Sequence, residues 1–413
     1  MSSKEKFNTK ERPHKVNGFW QFIELVASTA MLLPVKGKIN KVNCEGLKPP
    51  YIVLSNHGSM VDFAVAAKAV YPNKTGWVAS IEEFNGREWI FRQIGVIYKR
   101  KFTGDITVVK HILHALTKDK TSVVIYPEAR FSLIGATERI DGALGKLAKV
   151  AKCPVVILTM TGNFLRSPQW NKHPYRKVPV SAEFKQVVTR EESEALSADE
   201  IQKRIEDNFH YDDYAWQKQN HIKIDSPERA TNIHKVLYRC PHCEKEFTTY
   251  SKGKKIWCED CGTVWDMDEY GTLKAENTET RFSSPVEWYN WEREKVREEV
   301  RSGNYKFEDT ARLEWLECSK KGFKPLGEVK LTQDYNGFTM TGTIDGKPFE
   351  FNRPAPSMSS CHIEYDYKGR GDAIDLCTLE DTYFVFPLTA KNCLTKLHFA
   401  TEELYDYMTE KKD

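Results

Sequence analysis

The sequence lacks any run of about 18 apolar residues, so no segment is long enough to cross a bilayer as a helix by itself. It lacks internal repeats and low-complexity tracts, which excludes a repeat array. It also has little net charge. Its 61 Lys and Arg residues nearly cancel 58 Asp and Glu residues, and the resulting +3 excludes a general polyanion binder. The cysteine pattern does not favour a disulfide framework either. Of ten cysteines, four fall into two close pairs and six are scattered, which suits a reducing compartment with a metal site.

What remains is a 413-residue chain, 40% hydrophobic and 29% charged, with enough apolar mass for two or three domains. Its first 35 residues form one unit of pattern. Lys4, Lys6, Lys10, Arg12 and Lys15 precede an apolar stretch of Phe19, Trp20, Phe22, Ile23, Leu25, Val26, Met31, Leu32 and Leu33. Gln21 and Glu24 interrupt it. A signal peptide shares this outline, but here the apolar run starts late and no small-x-small cleavage pattern follows. Residues 1–35 are read as an amphipathic segment with a basic leader. It either packs on the first domain or lies in the headgroup layer of an anionic membrane.

Within a domain taken as residues 36–215, residues 50–185 alternate short β-branched runs with helical patterns. Runs at 51–55, 76–80, 95–100, 122–126, 155–160 and 178–184 flank helix-like stretches near 60–70, 86–93, 105–118 and 142–151. This predicts an α/β domain with a mainly parallel sheet, whose chemistry gathers at the carboxyl ends of strands. His57 falls just past the first of these runs, with Asp62 five residues on. A strand-to-helix turn can bring the two together, so that the carboxylate fixes one imidazole nitrogen and leaves the other as a base. Taken alone, the pair reads sooner as a turn histidine with an N-cap aspartate, because a His-x4-Asp spacing is common by chance. Lys99, Arg100 and Lys101 end another run, as phosphate donors or as a solvated basic turn. Tyr126-Pro127-Glu128-Ala129-Arg130-Phe131-Ser132 ends a third, where Glu128 and Arg130 read as site residues or as a loop ion pair.

Asn56, His57, Ser59 and Asp62, followed by these two segments and then by Cys153-Pro154-Val155-Val156-Ile157-Leu158, resemble in order the four motifs of the glycerolipid acyltransferase family. Its best-known members acylate 1-acylglycerol-3-phosphate. The resemblance covers residues 20–215. It implies His57 and Asp62 as the catalytic pair, with Asn56, Ser59, Arg100, Lys101, Glu128, Arg130 and Ser132 around the substrate. Three departures stand out. The spacing from Gly95 is one residue short, which favours Arg100 over Lys101 as the motif cation. Ala129 replaces a glycine. Arg130 and Phe131 stand where threonine and arginine are expected. The implied reaction moves a fatty acyl chain from acyl-CoA or an acyl-carrier protein to the hydroxyl of lysophosphatidate or a related lysophospholipid, with no cofactor for catalysis. The implied setting is cytoplasmic, peripheral on the inner membrane face.

Residues 236–275 carry Cys240-Pro241-His242-Cys243 and Cys258-Glu259-Asp260-Cys261. Thiolates two apart on tight turns bite one metal ion, and two such turns complete a tetrahedron, so this reads as a zinc ribbon with a structural Zn²⁺ and His242 as bystander. Cys44, Cys153, Cys318, Cys361, Cys377 and Cys393 read as free thiols or core residues. Residues 283–322 are expected to be a helical segment that starts at the capping pattern Ser284-Pro285. Residues 323–413 alternate in short runs around an Asp345-Gly346 hairpin signal and close with a helix near 394–408, giving a β-rich, PH-like (pleckstrin-homology-like) order of elements. A competing functional reading is a non-catalytic zinc-ribbon binder of nucleic acid or a protein, supported by Lys252, Lys254 and Lys255. No basic face interleaved with aromatics accompanies them, so no nucleic acid is expected.

Overall fold

The computed structural model describes residues 8, 11–84, 86–171, 175–318 and 322–410. Lys4, Lys6 and Lys10 of the basic leader, and the side chain of Cys318, lie outside what is described. The chain forms two compact units. The first holds residues up to Trp216, except 100–103 and 169–173, which group with the second.

In the first unit, helix α1 (Gly18–Leu32) precedes β1 (Gly37–Val42), β2 (Ile52–Ser55), α2 (Val61–Val70), β3 (Thr75–Ser80), α3 (Glu88–Gln93), β4 (Val96–Lys99) and α4 (Ile106–Thr117). There follow β5 (Ser122–Ile125), α5 (Leu144–Ala151), β6 (Val155–Thr161), α6 (Asn163–Arg166), β7 (Val180–Val188), α7 (Arg190–Ala195) and α8 (Ala198–Asn208). The sheet order is β1-β7-β6-β2-β5-β3-β4, and β6–β7 is its one antiparallel pairing among the described residues. A mixed sheet with parallel strands therefore carries this unit. β1 has no counterpart in the sequence reading. It is a polar edge strand, pairing Gly37–Val42 with Val180–Lys185, and its run of Lys38, Asn40 and Lys41 gives no apolar signal.

β2 is buried along its whole length, which its uninterrupted Ile52-Val53-Leu54 requires. Ile52 and Leu54 join Val123, Val155 and Ile157 of the neighbouring strands. Ile112 and Leu116 of α4 and Ile201 and Ile205 of α8 close over them. Each such side chain contributes roughly 1.5–3 kcal/mol. Asn56 adds a polar clamp between strands: its amide donates to the Met160 carbonyl at 2.8 Å and accepts from the Met160 N–H at 2.7 Å.

α1 is capped by Asn17, which accepts from the Trp20 N–H at 3.0 Å. Its amphipathicity is inverted. Gln21 and Ser28 are buried and Glu24 is half-buried, while Phe19, Phe22, Ile23, Val26 and Leu33 face outward, Phe19 66% and Leu33 80% exposed. Gln21 donates to the Asn73 carbonyl at 2.5 Å, and burial pushes the Glu24 carboxyl up to about 8. Among the described residues no helix is long and apolar enough to cross a membrane.

α9 (Asp213–Gln219) leads into the second unit. There β8 (Thr249–Lys252), β9 (Lys255–Cys258), β10 (Val264–Met267) and β11 (Leu273–Ala275) form an antiparallel sheet. α10 (Pro285–Arg301) starts at a capping box of Ser284 and Glu287. A seven-stranded antiparallel sheet follows, built from β12 (Phe307–Cys318), β13 (Gly322–Asp334), β14 (Gly337–Ile344), β15 (Lys347–Arg353), β16 (His362–Glu364), β17 (Ala373–Cys377) and β18 (Thr382–Pro387). Its order is β15-β14-β13-β12-β18-β17-β16, and α11 (Leu394–Glu410) ends the unit. The expectation of helix through 283–322 is corrected here. The helix stops at Arg301, and β12 pairs with both β13 and β18. Glu308, Asp309, Arg312 and Glu314 had hidden the alternation of buried Phe307, Ala311 and Leu313. Cys44, Cys153, Cys361, Cys377 and Cys393 are free thiols, all but Cys44 buried.

Candidate active site

Three adjacent parallel strands, β5, β2 and β6, end at the same edge of the sheet. The residues just past each tip converge there. From β2 comes His57, whose Nδ1 lies 2.8 Å from Asp62 Oδ2. Asp62 is fully buried in the first turn of α2. Its Oδ2 also accepts from the Gly58 N–H at 2.6 Å and the Ser59 N–H at 3.0 Å. Asn163, just past β6, donates its amide to Oδ1 at 2.9 Å. A carboxylate that accepts from every neighbour assigns the proton to His57 Nδ1, which leaves Nε2 as the basic nitrogen. Nε2 makes no hydrogen bond to any described residue, and the imidazole is 21% exposed. Gly58 is required by the fold of this turn: a Cβ there would stand 2.7 Å from the Phe164 nitrogen.

The segment after β5 supplies both faces of the imidazole. Tyr126 stacks at 4.2 Å between centroids and Phe131 at 3.9 Å. The Ser132 N–H donates to the His57 carbonyl at 2.6 Å, tying the two loops together. Ser132 Oγ accepts from the Gly135 N–H at 2.9 Å, within its own turn. Ala129 has φ +54°, the left-handed conformation that explains the glycine of the resembled motif.

Glu128 is buried. Its Oε1 accepts from the Tyr211 hydroxyl at 2.7 Å and the Glu138 N–H at 3.3 Å, while Oε2 has no partner among the described residues. Burial pushes its carboxyl up to about 7, and nearby Glu138 adds to the rise. Arg130 is buried and donates through Nε to Glu138 at 3.0 Å, forking onto the same carboxylate through Nη2. Ser59 is buried, its hydroxyl unpartnered among the described residues.

The structure thus brings His57, Asp62, Asn56, Ser59, Glu128, Arg130 and Ser132 together in the first unit. Arg100 and Lys101 belong to the second unit. There the buried Arg100 donates to the Thr382 hydroxyl at 2.6 Å, and Lys101 pairs with Asp375 at 2.9 Å. Asn163, Tyr126, Phe131, Glu138 and Tyr211 escaped sequence reasoning as site residues. Asn163 and Tyr211 carry no local motif, and Phe131 registered only as a departure from one. A separate cleft in the first unit, lined by Arg12, His14, Lys15, His111 and His114 together with Gly95 and Ile97, contains none of the candidate catalytic or substrate-binding residues.

In the second unit, the sulfurs of Cys240, Cys243, Cys258 and Cys261 lie within 4.8 Å of one another. The Cys240–Cys261 and Cys243–Cys258 separations are both 3.7 Å. Four thiolates about 2.3 Å from a central Zn²⁺ would stand roughly 3.8 Å apart along each edge of a tetrahedron, so the donor set fits that ion.

A raised carboxyl sets a direction for pH dependence. Glu128 (about 7, against 4.5 ordinarily) and Asp213 (about 8, against 3.8, also through burial) hold protons in the folded chain that the unfolded chain releases. Their contribution is fully present below about pH 4, falls progressively above it and is gone once pH has passed the folded-state values of about 7 and 8. Glu128→Gln should therefore flatten the fall in stability between pH 5 and 8, by on the order of 3 kcal/mol. Urea midpoints across that range check this, and an unchanged slope would rule out a protonated Glu128.

Residues 35–161 match the Acyltransferase family model, under a third of the chain. The search of curated proteins returns no match. Among solved structures, the chain is similar to the 1-acyl-sn-glycerophosphate (LPA) acyltransferase PlsC of Thermotoga maritima. The identity is 16% over 46% of this chain and 74% of that one, with a TM-score of 0.35. An acyltransferase-type segment is thus present, and it contains His57, Asp62 and the loop after β5.

Proposed function

We propose that this protein moves a fatty acyl chain from an acyl thioester, acyl-CoA or acyl-carrier protein, to the hydroxyl of a lysophospholipid at a membrane surface. The observation that carries the reading is the 2.8 Å contact of His57 Nδ1 with buried Asp62, inside the segment that matches the Acyltransferase model. His57 Nε2 takes the hydroxyl proton as the acceptor oxygen attacks the thioester carbonyl. The C–O bond forms, the C–S bond breaks, and the departing thiolate recovers the proton from the imidazolium. Asp62 holds the tautomer and steadies the imidazolium charge. On this reading residues 36–215 are the catalytic domain. The acyl donor is the only co-substrate, and the enzyme sits peripherally on the cytoplasmic face of the inner membrane.

The inverted face of α1 supports membrane docking. Outward Phe19, Phe22, Ile23 and Val26 form an exposed apolar face of the kind that a lipid surface covers. The four cysteines would hold a structural Zn²⁺ that keeps the ribbon at 236–275 folded. With four sulfur ligands no open position remains for catalysis.

Each element has its own measurement. His57→Ala should lower acyl transfer from labelled acyl-CoA about 100- to 10,000-fold. Equal turnover by both proteins would dismiss the base. The double variant Phe22→Asp/Val26→Asp should stop the protein floating with anionic liposomes while leaving it folded, and undiminished flotation would count against α1 as the docking element. Elemental analysis should find one zinc per chain. Protein purified without chelator that contains none would remove the ribbon assignment.

A further inference from the structure

We propose that the acceptor at this site carries no phosphomonoester beside its reacting hydroxyl, and is instead a lysolipid with an uncharged or zwitterionic headgroup. This rests on His57 being the base that activates that hydroxyl. A phosphomonoester brings close to two negative charges at pH 7 and must exchange its hydration for fixed cations or several charge-assisted donors.

The groups described around His57 offer no unpaired cation for it. Asp62, Glu128 and Glu138 are acids in contact with the loops that frame the imidazole, and Arg130 stands among them. That arginine is committed. Its Nε and Nη2 fork onto Glu138, its Nη1 donates to the Glu128 carbonyl at 3.4 Å, and the pair is buried, with side chains 1% and 3% exposed. Its charge is neutralised where it lies. The surfaces flanking the imidazole are aromatic: the rings of Tyr126 and Phe131, whose faces carry negative partial charge. The buried Tyr126 hydroxyl is held well above its usual range by burial first, and then by Asp62 and Glu24. The two remaining candidate cations belong to the second unit, where Lys101 is paired with Asp375 and Arg100 donates one Nη to the Thr382 hydroxyl.

A dianion at this site would meet the Asp62 carboxylate, the carboxyl of Glu128 and an Arg130–Glu138 pair whose charges cancel, with no unpaired cation among these groups to receive it. An uncharged or zwitterionic neighbour to the hydroxyl meets no such opposition. Glu128 Oε2, buried and without a partner among the described residues, is a hydrogen-bonding group suited to it.

The test uses the full chain, labelled acyl-CoA and mixed micelles with equal mole fractions of monoacylglycerol, lysophosphatidylcholine or lysophosphatidate. The expected result is kcat/KM at least tenfold higher for one of the first two than for lysophosphatidate, abolished by His57→Ala. Lysophosphatidate used equally well or better, in a His57-dependent way, overturns the inference and leaves the base intact. Acylation of no acceptor, or acylation indifferent to His57→Ala, fails the underlying reading and takes the inference with it. Glu138→Gln, which leaves the Arg130 charge unpaired, should raise the use of lysophosphatidate relative to lysophosphatidylcholine several-fold. An unchanged ratio in a variant that melts as a folded protein overturns the inference. Should that variant not fold, the three-acceptor comparison decides alone.

Discussion

The Asp62 carboxylate is the point on which the candidate site depends. It is fully buried, and it takes hydrogen bonds from the His57 ring, from two successive backbone N–H groups and from the Asn163 amide. These donors come from the turn after β2 and from the start of α6 beyond β6. Stripping the charge of its water is tolerable only because four donors replace that water. Each donor in turn fixes a piece of chain. The backbone of Gly58 and Ser59 is drawn into the tight turn that presents the imidazole, and Asn163 is pinned at a helix start only four residues long.

The topology makes that convergence possible. β5, β2 and β6 are neighbours and run the same way, so their carboxyl ends lie along one edge. Loops from distant stretches of the sequence meet there without long excursions. The Asn56–Met160 clamp and the Ser132–His57 backbone bond set the spacing of those loops, so the site inherits its geometry from the buried sheet.

Much of this was written locally. The apolar run Ile52–Leu54, the turn after it and the His57–Asp62 spacing could be read directly, because strand periodicity and a five-residue return are short-range properties. The paired cysteines were equally legible, their two-residue bite being a local geometry. The partners of Arg100 and Lys101 were not legible. Thr382 and Asp375 lie more than 270 residues away in sequence, and nothing near a basic turn indicates which distant side chains will accept its hydrogen bonds. Arg130 posed a nearer version of the same problem, since Glu138 follows only eight residues later but across an irregular loop. β12 was obscured because charged residues that pair in the fold disguised a strand as a helical surface. Glu314, for one, is buried and bonded by Arg312 and Arg370.

The stacking of Tyr126 and Phe131 on the imidazole has a consequence for motion. A half-turn of that ring about its Cβ–Cγ bond would have to push both aromatic planes aside and break the link to Asp62. The ring is therefore held in a single rotameric state before any ligand arrives. The entropy of orienting it has already been lost on folding, so a substrate that reaches Nε2 does not have to immobilise it.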